Sequence, residues 1–451
     1  MTEPRPYRRL SPLSPFVRSG IIFVAVIGAT WHDLLRGEFG PVGLILLALL
    51  AIGLAYGLAS WWRTKYWIDG DELRVDTGVI SKQSRRIRVD RLQSIDIAQP
   101  VLARLFGLAE LKMDVAGGHR AEGSLAFLRL GEAQQLREQL LARRDLARQE
   151  AATAATAATS PMGQPLTPPP ERVIAKLDLG RLLVSILLSG HTVGVVVSGA
   201  GFMVLFVATG QFAGAATMVP VVGGFLLAQF RKLSAFYDFT VAQTPAGLQV
   251  RRGLLELNSQ TIALHRVQGV RIIEPFLWRR LGWARLDVSI AGVRDSDSND
   301  RPSSSTVMPV APLAMVADLG RQLLAGSPGA TTDPATVQLS VPPIRARWVA
   351  PIWRKFCSFG IGEGIVVGRR GMLSRRTEVV PLARIQSVNL HQGPVQRLLG
   401  LADLDVDSPP GPVHASGRHQ DAGSARRLLD TVVVASREAR LTAARGSHPS
   451  Q

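Results

Sequence analysis

Residues 182–230 form 49 consecutive positions without a charge, bounded by Arg181 on one side and Arg231-Lys232 on the other. A single helix of that length, rising about 1.5 Å per residue, would be more than twice the roughly 30 Å depth of bilayer hydrocarbon, so the segment has to turn back. A break near Thr209-Gly210-Gln211 gives two helices of spanning length joined by a very short loop, with His191 as the one readily titratable side chain inside. Two core hairpins of a soluble protein would need apolar cover on every side, which favours lipid as the surroundings.

The same design is expected nearer the N-terminus. Residues 41–62 are uncharged and end in Trp61-Trp62 followed by Arg63 and Lys65, an aromatic and basic border suited to headgroups. Residues 19–35 read as the partner span, with His32 and Asp33 at the interface. The flank holding Arg5, Arg8, Arg9 and Arg18 is too irregular and Pro-rich for a cleaved signal peptide, and no A-x-A site follows. The turns at Arg36-Gly-Glu38 and Thr209-Gly-Gln are short and nearly neutral, whereas Arg and Lys crowd the opposite ends of all four helices. Positive charge therefore predicts a multi-pass cell-membrane protein with both termini and every soluble segment cytoplasmic. Asp33 and His191 are too isolated to make a transport pathway. The excess of 52 Lys and Arg over 35 Asp and Glu, net +17, suits phosphate, but topology accounts for much of it and no nucleic-acid partner is expected. A single cysteine, Cys357, excludes an intramolecular disulfide framework and any multi-cysteine zinc or iron–sulfur site.

Outside the apolar segments the chain repeats itself three times without a gap. Each copy opens on a glycine (Gly78, Gly253, Gly371), followed at +13 by Arg (Arg91, Arg266, Arg384) and at +15 by Gln (Gln93, Gln268, Gln386). A second glycine follows at +29 (Gly107, Gly282, Gly400) and a Leu at +33 (Leu111, Leu286, Leu404). The approach to the second glycine recurs as Arg104-Leu-Phe, Arg279-Arg-Leu and Arg397-Leu-Leu. Alternating runs such as Ile95-Asp-Ile97, Leu286-Asp-Val288 and Leu404-Asp-Val406 have the period of strands with one buried face, and Asp69-Gly70 is a hairpin turn. A helix closes each copy, over 132–149 with Leu136, Leu140 and Leu141 on one face, then 312–324 and 423–440. Six or seven strands and one helix in roughly 80 to 90 residues describe a small twisted sandwich or partly open barrel.

Paired apolar helices followed by these copies resemble the bacterial pleckstrin-homology-like membrane proteins, the YdbS/YdbT-like group long treated as a domain of unknown function. The resemblance covers most of the chain: Gly78, Arg91, Gln93, Gly107, Leu108 and Ala109 match in order and spacing, and the later copies repeat the match. Trp283 in place of Leu, and Gly393-Pro394 where the other copies have Pro100 and Pro275, depart from it. The resemblance implies a PH-like sandwich capped by a C-terminal helix and tethered to the cytoplasmic membrane, and it implies no known reaction.

The expected fold class is thus an α+β membrane protein, two transmembrane helical hairpins plus three PH-like β-sandwich or barrel domains, each closed by a C-terminal helix. Its parts are residues 1–62 (N-terminal segment and hairpin 1), 63–149 (PH-like domain 1), 150–172 (Ala/Thr/Pro-rich linker), 173–232 (hairpin 2), 233–325 (PH-like domain 2), 326–343 (linker), 344–440 (PH-like domain 3) and 441–451 (tail). The acidic, serine-rich residues 294–305 read as a solvated hairpin loop, since they lack the Gly and final Glu of a calcium loop.

No catalytic constellation is present: there is no Gly-x-Ser-x-Gly, Walker loop or His-Glu-x-x-His. Gly360-Ile-Gly362-Glu-Gly364 reads as a hairpin, because a strand rather than a helix follows. His414, His419 and Asp421 are too few for a metal site. No enzyme activity, cofactor or metal is expected. The candidate binding residues are the cations beside turns, Arg85, Arg86, Arg88, Arg251, Arg252, Arg369, Arg370, Arg375 and Arg376, suited to headgroups or acidic partners. The repeated Arg and Gln positions share a strand face by spacing and are expected to satisfy turn carbonyls. Arg345-Ala-Arg347-Trp348 and Trp353-Arg-Lys355-Phe356 interleave cations with aromatics and suit a bilayer interface. The expected function is a non-enzymatic scaffold that binds other proteins, including a smaller protein of the same family, in assembly or envelope stress. Anionic headgroup binding is the alternative, and a transporter or membrane-enzyme component comes third.

Overall fold

The computed structural model of the chain describes residues 8–9, 11, 41–70, 72–77, 82–89, 92–115, 123–155, 172–210, 218–244, 247–291, 305–327, 330, 333–409 and 411–446. The expected span over 19–35, with His32 and Asp33, and the loop over 294–304 lie outside them, as do Gly78 and Arg91.

Strand β1 (Arg8–Arg9) and helix α1 (Pro41–Arg63) precede the first copy. That copy comprises β2 (Lys65–Asp69), β3 (Glu72–Thr77), β4 (Gln83–Arg88), β5 (Leu92–Gln99), α2 (Val101–Leu105), β6 (Leu108–Val115), β7 (Gly123–Arg129) and α3 (Leu130–Ala155). Then come β8 (Arg172–Lys176), α4 (Leu179–Leu187), α5 (Gly190–Thr209) and α6 (Met218–Phe236). The second copy is β9 (Thr240–Thr244), β10 (Gly247–Arg252), β11 (Leu257–Ile262), β12 (Val267–Pro275), α7 (Phe276–Arg280), β13 (Trp283–Ile290), β14 (Thr306–Pro312) and α8 (Leu313–Ala325). The third is β15 (Ser358–Gly362), β16 (Ile365–Arg370), β17 (Ser374–Pro381), β18 (Ser387–His391), α9 (Pro394–Leu398), β19 (Leu401–Asp407), β20 (Ala415–Asp421) and α10 (Ala422–Gly446).

Each copy is therefore a three-stranded meander, a second three-stranded meander with a one-turn helix after its first strand, and a closing helix. The second repeated glycine has one job in all three. It ends the one-turn helix in the left-handed region, with φ 65°, 67° and 62° at Gly107, Gly282 and Gly400. Its carbonyl then accepts the N–H of the first residue of the closing helix, from Leu130 (3.1 Å), Leu313 (2.8 Å) and Ala422 (2.9 Å). A side chain at this position would strain the turn that sets where that helix begins.

The residues divide into two compact units, 1–167 with 255–261, and 168–254 with 262–451. In the first unit β1, β2, β3 and β4 form one antiparallel sheet, with β4 at its edge. The other sheet has β5 between β6 and β11, so a strand of the second copy completes a sheet of the first. Leu73, Ile87, Leu92, Leu111 and Met113 fill the space between the sheets, and α3 covers it with Leu136 and Leu140. Helix α3 runs on to Ala155, past the expected end at 149, because the Ala-rich start of the anticipated linker has high helix propensity.

In the second unit β8, β9 and β10 form one meander. A six-stranded sheet in the order β14-β13-β12-β17-β16-β15 joins the second meander of copy two to the first meander of copy three, and β18-β19-β20 form a separate sheet with β18 at its edge. Among the described residues no pairing links the two sheets of one copy, and there each copy has the two sheets of a sandwich without barrel closure. The linker expected over 326–343 is partly ordered: Ser340 bridges Phe359, and Val337 is buried in the core.

Residues 182–230 divide into three helices rather than two. Helix α4 begins at Asp178, whose carboxylate accepts the Arg181 N–H at 2.9 Å, and it is amphipathic. Its Leu182 and Ile186 join the core of the second unit, and Trp278 Nε1 donates to the Ser185 carbonyl at 3.1 Å. Ser189 then caps α5, which ends as expected at Gly210, there in the left-handed region. Residues 211–217 lie outside the described set. Leu182 and Ile186 at the start of the uncharged interval thus belong to the core of the second unit, a role that the absence of charge could not reveal.

Candidate partner and membrane interface

The joint between β12 and β17 is lined with charge. Arg375, opposite Glu274 in the ladder, donates from Nε and Nη2 to its two carboxylate oxygens at 2.8 and 2.5 Å. On the other face Arg271 lies opposite both Glu378 of β17 and Asp287 of β13, and its Nη2 reaches Asp287 Oδ2 at 3.4 Å. Asp287 is fully buried, and its Oδ1 also accepts from Arg285 Nε at 2.8 Å and Thr306 Oγ1 at 3.0 Å. Arg370 Nη2 donates to Glu378 Oε1 at 3.1 Å. A carboxylate withdrawn from water needs such partners, since its desolvation cost is otherwise uncompensated. At Glu378 burial still prevails over Arg370 and Arg271, and its carboxyl sits above the usual range.

The predicted cations meet different fates. Arg85, Arg86 and Arg88 lie exposed on β4. Arg251 is exposed on β10 and donates to Gln249 Oε1 at 3.3 Å, whereas Arg252, expected at the surface, is buried. Arg369 is half-buried, and burial first, then Arg375, lowers its pKa against the pull of Glu274. Arg370 and Arg375 are held in the ion pairs just described, and Arg376 faces Ile273 across the joint. The third-copy arginines read from sequence as a headgroup surface therefore sit along an internal seam. Their acidic partners Glu274, Asp287 and Glu378 went unnoticed; single acids inside alternating strand runs were the available signal.

Arg266 and Arg384 stand at the ends of one-turn 3-10 segments, Leu264–Arg266 and Leu382–Arg384, rather than on a strand face. Arg266 Nη2 donates to the Ala291 carbonyl at 2.5 Å and Arg384 Nη2 to the His265 carbonyl at 2.6 Å. Gln268 Nε2 donates to the Arg266 carbonyl at 3.4 Å, and Gln386 N–H to the Asp407 carbonyl at 2.9 Å. Gln93 lies on β5. Gly253 and Gly371 have positive φ at the turns after β10 and β16.

Bare apolar surface marks the second kind of interface. Among the described residues α5 is long and apolar enough to cross a membrane, and its Val196, Val197, Met203 and Val204 are all more than half exposed. On α1 and α6, Ile45, Ile52, Val221, Leu226 and Leu227 are exposed likewise. Between α5 and α6 a cleft of about 540 Å³ holds His191, Phe202 and Phe225. The segment before copy three folds into two 3-10 turns, Ile344–Trp348 and Trp353–Phe356. They leave Ile344, Trp348, Ile352 and Trp353 largely exposed, with the Arg347 guanidinium 5.3 Å from the Trp348 ring. Water leaves contiguous surfaces of this kind uncovered at a cost, so a lipid or protein partner is implied.

In the third copy, Asp403 accepts from the His419 N–H (2.6 Å), Gln396 Nε2 (3.0 Å) and Arg418 Nη1 (3.1 Å). Asp421 caps α10 by accepting the Ser424 N–H at 2.9 Å, and it pairs with Arg345; the Ser424 bond is the main cause that holds its carboxyl below the usual range. His414, His419 and Asp421 thus do not converge, and the described residues hold no group of three metal-ligating side chains. Cys357 is half-buried, which raises its thiol pKa. Gly360 to Gly364 form the β15–β16 hairpin, with Gly364 at φ 79°.

The bacterial PH domain family matches this chain three times, over residues 19–144, 185–327 and 335–432. A curated relative, the UPF0699 transmembrane protein YdbT of Bacillus subtilis (strain 168), is 23% identical over 281 residues, 57% of this chain. The match spans 56% of that relative's length.

Proposed function

Because this chain belongs to the bacterial PH domain family, we propose that it is a multi-pass membrane protein that presents three PH-like domains as a non-enzymatic protein-interaction scaffold. The observation that carries this reading is the pairing of lipid-suited helices with sandwiches whose buried charges at the β12–β17 joint are held in ion pairs. α5 offers bilayer-length apolar surface, while Glu274, Asp287 and Glu378 are engaged in ion pairs that hold strands together. The name of the Bacillus relative, a transmembrane protein, favours the same surroundings for this chain. On this reading residues 19–62 and 190–230 form two spanning hairpins, and positive charge keeps all three domains and both termini on the cytoplasmic side. The domains then run close to 63–149, 233–325 and 344–440, and assembly or envelope stress is the setting in which such a scaffold would act. Reporter fusions after residues 149, 325 and 446 test the topology, and one outward-facing domain would refute it. Deleting the third copy and comparing proteins cross-linked in native membranes tests the scaffold; an unchanged set of partners would count against it.

A second reading, anionic headgroup binding, draws on Arg85, Arg86 and Arg88 on β4 and on the exposed Trp348 and Trp353. Nanodiscs with and without anionic lipid, compared as salt is raised, separate it from the first, since exposed charge pairs with lipid are screened by salt.

A further inference from the structure

Each internal joint is made by the same two strands of the repeat, in the same register. Counted from the first glycine of each copy, Gln99 at +21 faces Leu257 at +4, Ala98 at +20 faces Asn258 at +5, and Ile97 at +19 faces Ser259 at +6. In the second joint Glu274 at +21 faces Arg375 at +4, Ile273 at +20 faces Arg376 at +5, and Ile272 at +19 faces Thr377 at +6. The paired offsets total 25 throughout. The fourth strand of one copy thus takes the third strand of the next, and this happens twice, with different side chains at the +21 and +20 pairs.

Two strands of this type are left over. β4 is the third strand of copy one, and among the described residues it pairs with β3 alone. β18 is the fourth strand of copy three, and among the described residues it pairs with β19 alone. Every residue of β4 but Ile87 is exposed and β18 has no buried residue; in the second joint most of β12 and of the later part of β17 is buried, while β11 in the first joint is itself largely exposed or half-buried. The closing helix packs on the three strands of that sheet as α3 and α8 pack on theirs, and those sheets still accept a neighbour. A strand edge of this length, with no ladder partner among the described residues, is a template for a further strand.

We propose that β18 of one chain pairs antiparallel with β4 of a second copy, so that the chain assembles head to tail by the joint it already makes twice internally. The shared register puts His391 opposite Gln83, Leu390 opposite Ser84, Asn389 opposite Arg85 and Val388 opposite Arg86. The pattern fits. At +19 and +6 both internal joints set a large aliphatic against a small hydroxyl, Ile97 with Ser259 and Ile272 with Thr377, and Leu390 with Ser84 repeats it. The row through Arg271 carries alternate charge over Glu378, Arg271 and Asp287. The corresponding row would run Arg85, Asn389, Asp405, with Asn389 facing Asp405 in the β18–β19 ladder. The acidic strand β19, with Asp403, Asp405 and Asp407, lies behind one edge, and the basic strand β4 forms the other. The two edges differ, so the contact is heterologous and propagates to a ring or a row of chains.

The inference deepens the scaffold reading by naming the partner, and it rests on that reading for its biological sense. Its test uses the full chain in nanodiscs, with Cys357→Ser in every variant. One chain carries Arg85→Cys and a second, differently tagged, carries Asn389→Cys; they are mixed and mildly oxidised. A reducible mixed dimer is expected in the mixture and not from either chain alone, with at least a fivefold drop when Gln83→Cys replaces Arg85→Cys and breaks the register. The particle mass of the unsubstituted chain, measured beside it, is expected to hold more than one copy. A mixture that gives no more dimer than its components, a double variant that closes only within one chain, or a particle of one copy at every concentration overturns the proposal. Partner proteins cross-linked in native membranes despite that failure leave the scaffold standing; copies that pair with no other protein recovered leave the inference standing and remove the wider scaffold.

Discussion

The β5·β11 and β12·β17 joints share one register yet are built from different chemistry. In the first, the copy-two strand is exposed or half-buried along most of its length; Arg137 Nη2 reaches Thr261 Oγ1 at 3.2 Å, and Lys112 and Glu256 pair at 3.8 Å with both side chains well exposed. In the second, Glu274, Arg271, Glu378 and Asp287 are buried, with Glu274 bonded to Arg375, Glu378 to Arg370 and Arg271 to Asp287. Backbone complementarity sets where the strands meet, and side chains decide how much breaking the meeting costs.

The contrast fixes an order of effects. Asp287→Ala should cost the most, about 3–5 kcal/mol, because it strands Arg271 and Arg285 in the sheet; denaturant unfolding of the detergent-solubilised chain measures it. Glu274→Gln, which removes the charge from a two-pronged contact, should cost about 1.5–3 kcal/mol by the same measurement, and Arg375→Ala should add little on top of it. Lys112→Ala, in the exposed joint, should cost about 0–1 kcal/mol and less as salt rises. A loss at Lys112 equal to that at Asp287 would erase the distinction drawn between the joints.

Acid sharpens the comparison in opposite senses. Glu378 has a raised pKa in the fold, so between its unfolded and folded values the native state holds the extra proton, and its contribution to stability is lost as pH rises through that window. Asp421 has a lowered pKa, so its contribution is present above the ordinary carboxylate range and lost as pH falls through the folded value. Melting temperatures of Glu378→Gln and Asp421→Asn across acid pH, each against the parent chain, should therefore diverge from it in opposite directions. Parallel profiles would show that the two carboxyls experience the same environment.

Much of the repeat was legible because strand period and glycine punctuation are local. Gly107, Gly282 and Gly400 were found by spacing, and the structure supplies their reason, a left-handed turn whose carbonyl receives the closing helix. The closing helices start where expected to within a residue or two, but α3 runs on to Ala155 rather than ending at 149, and α10 to Gly446 rather than 440, into the expected tail. The binding residues were less legible. Arg375 and Arg370 look like surface cations beside a turn until the partner strand brings Glu274 and Glu378 against them, from about 100 residues away in one case (Glu274 and Arg375 are separated by 101 positions). Likewise the uncharged interval could not announce that Leu182 and Ile186 turn to the core of the second unit, since lipid and core select the same side chains.

The sequence by itself determined the repeat, its strand and helix periods, its turns and the apolar length suited to a bilayer, because each depends on neighbours a few positions apart. Only the tertiary structure decided that copies share sheets, which charges are buried in the seams and which joining strands have one ladder partner among the described residues. Those follow from strands meeting across a hundred residues or more, and no local pattern records which edge another strand will take.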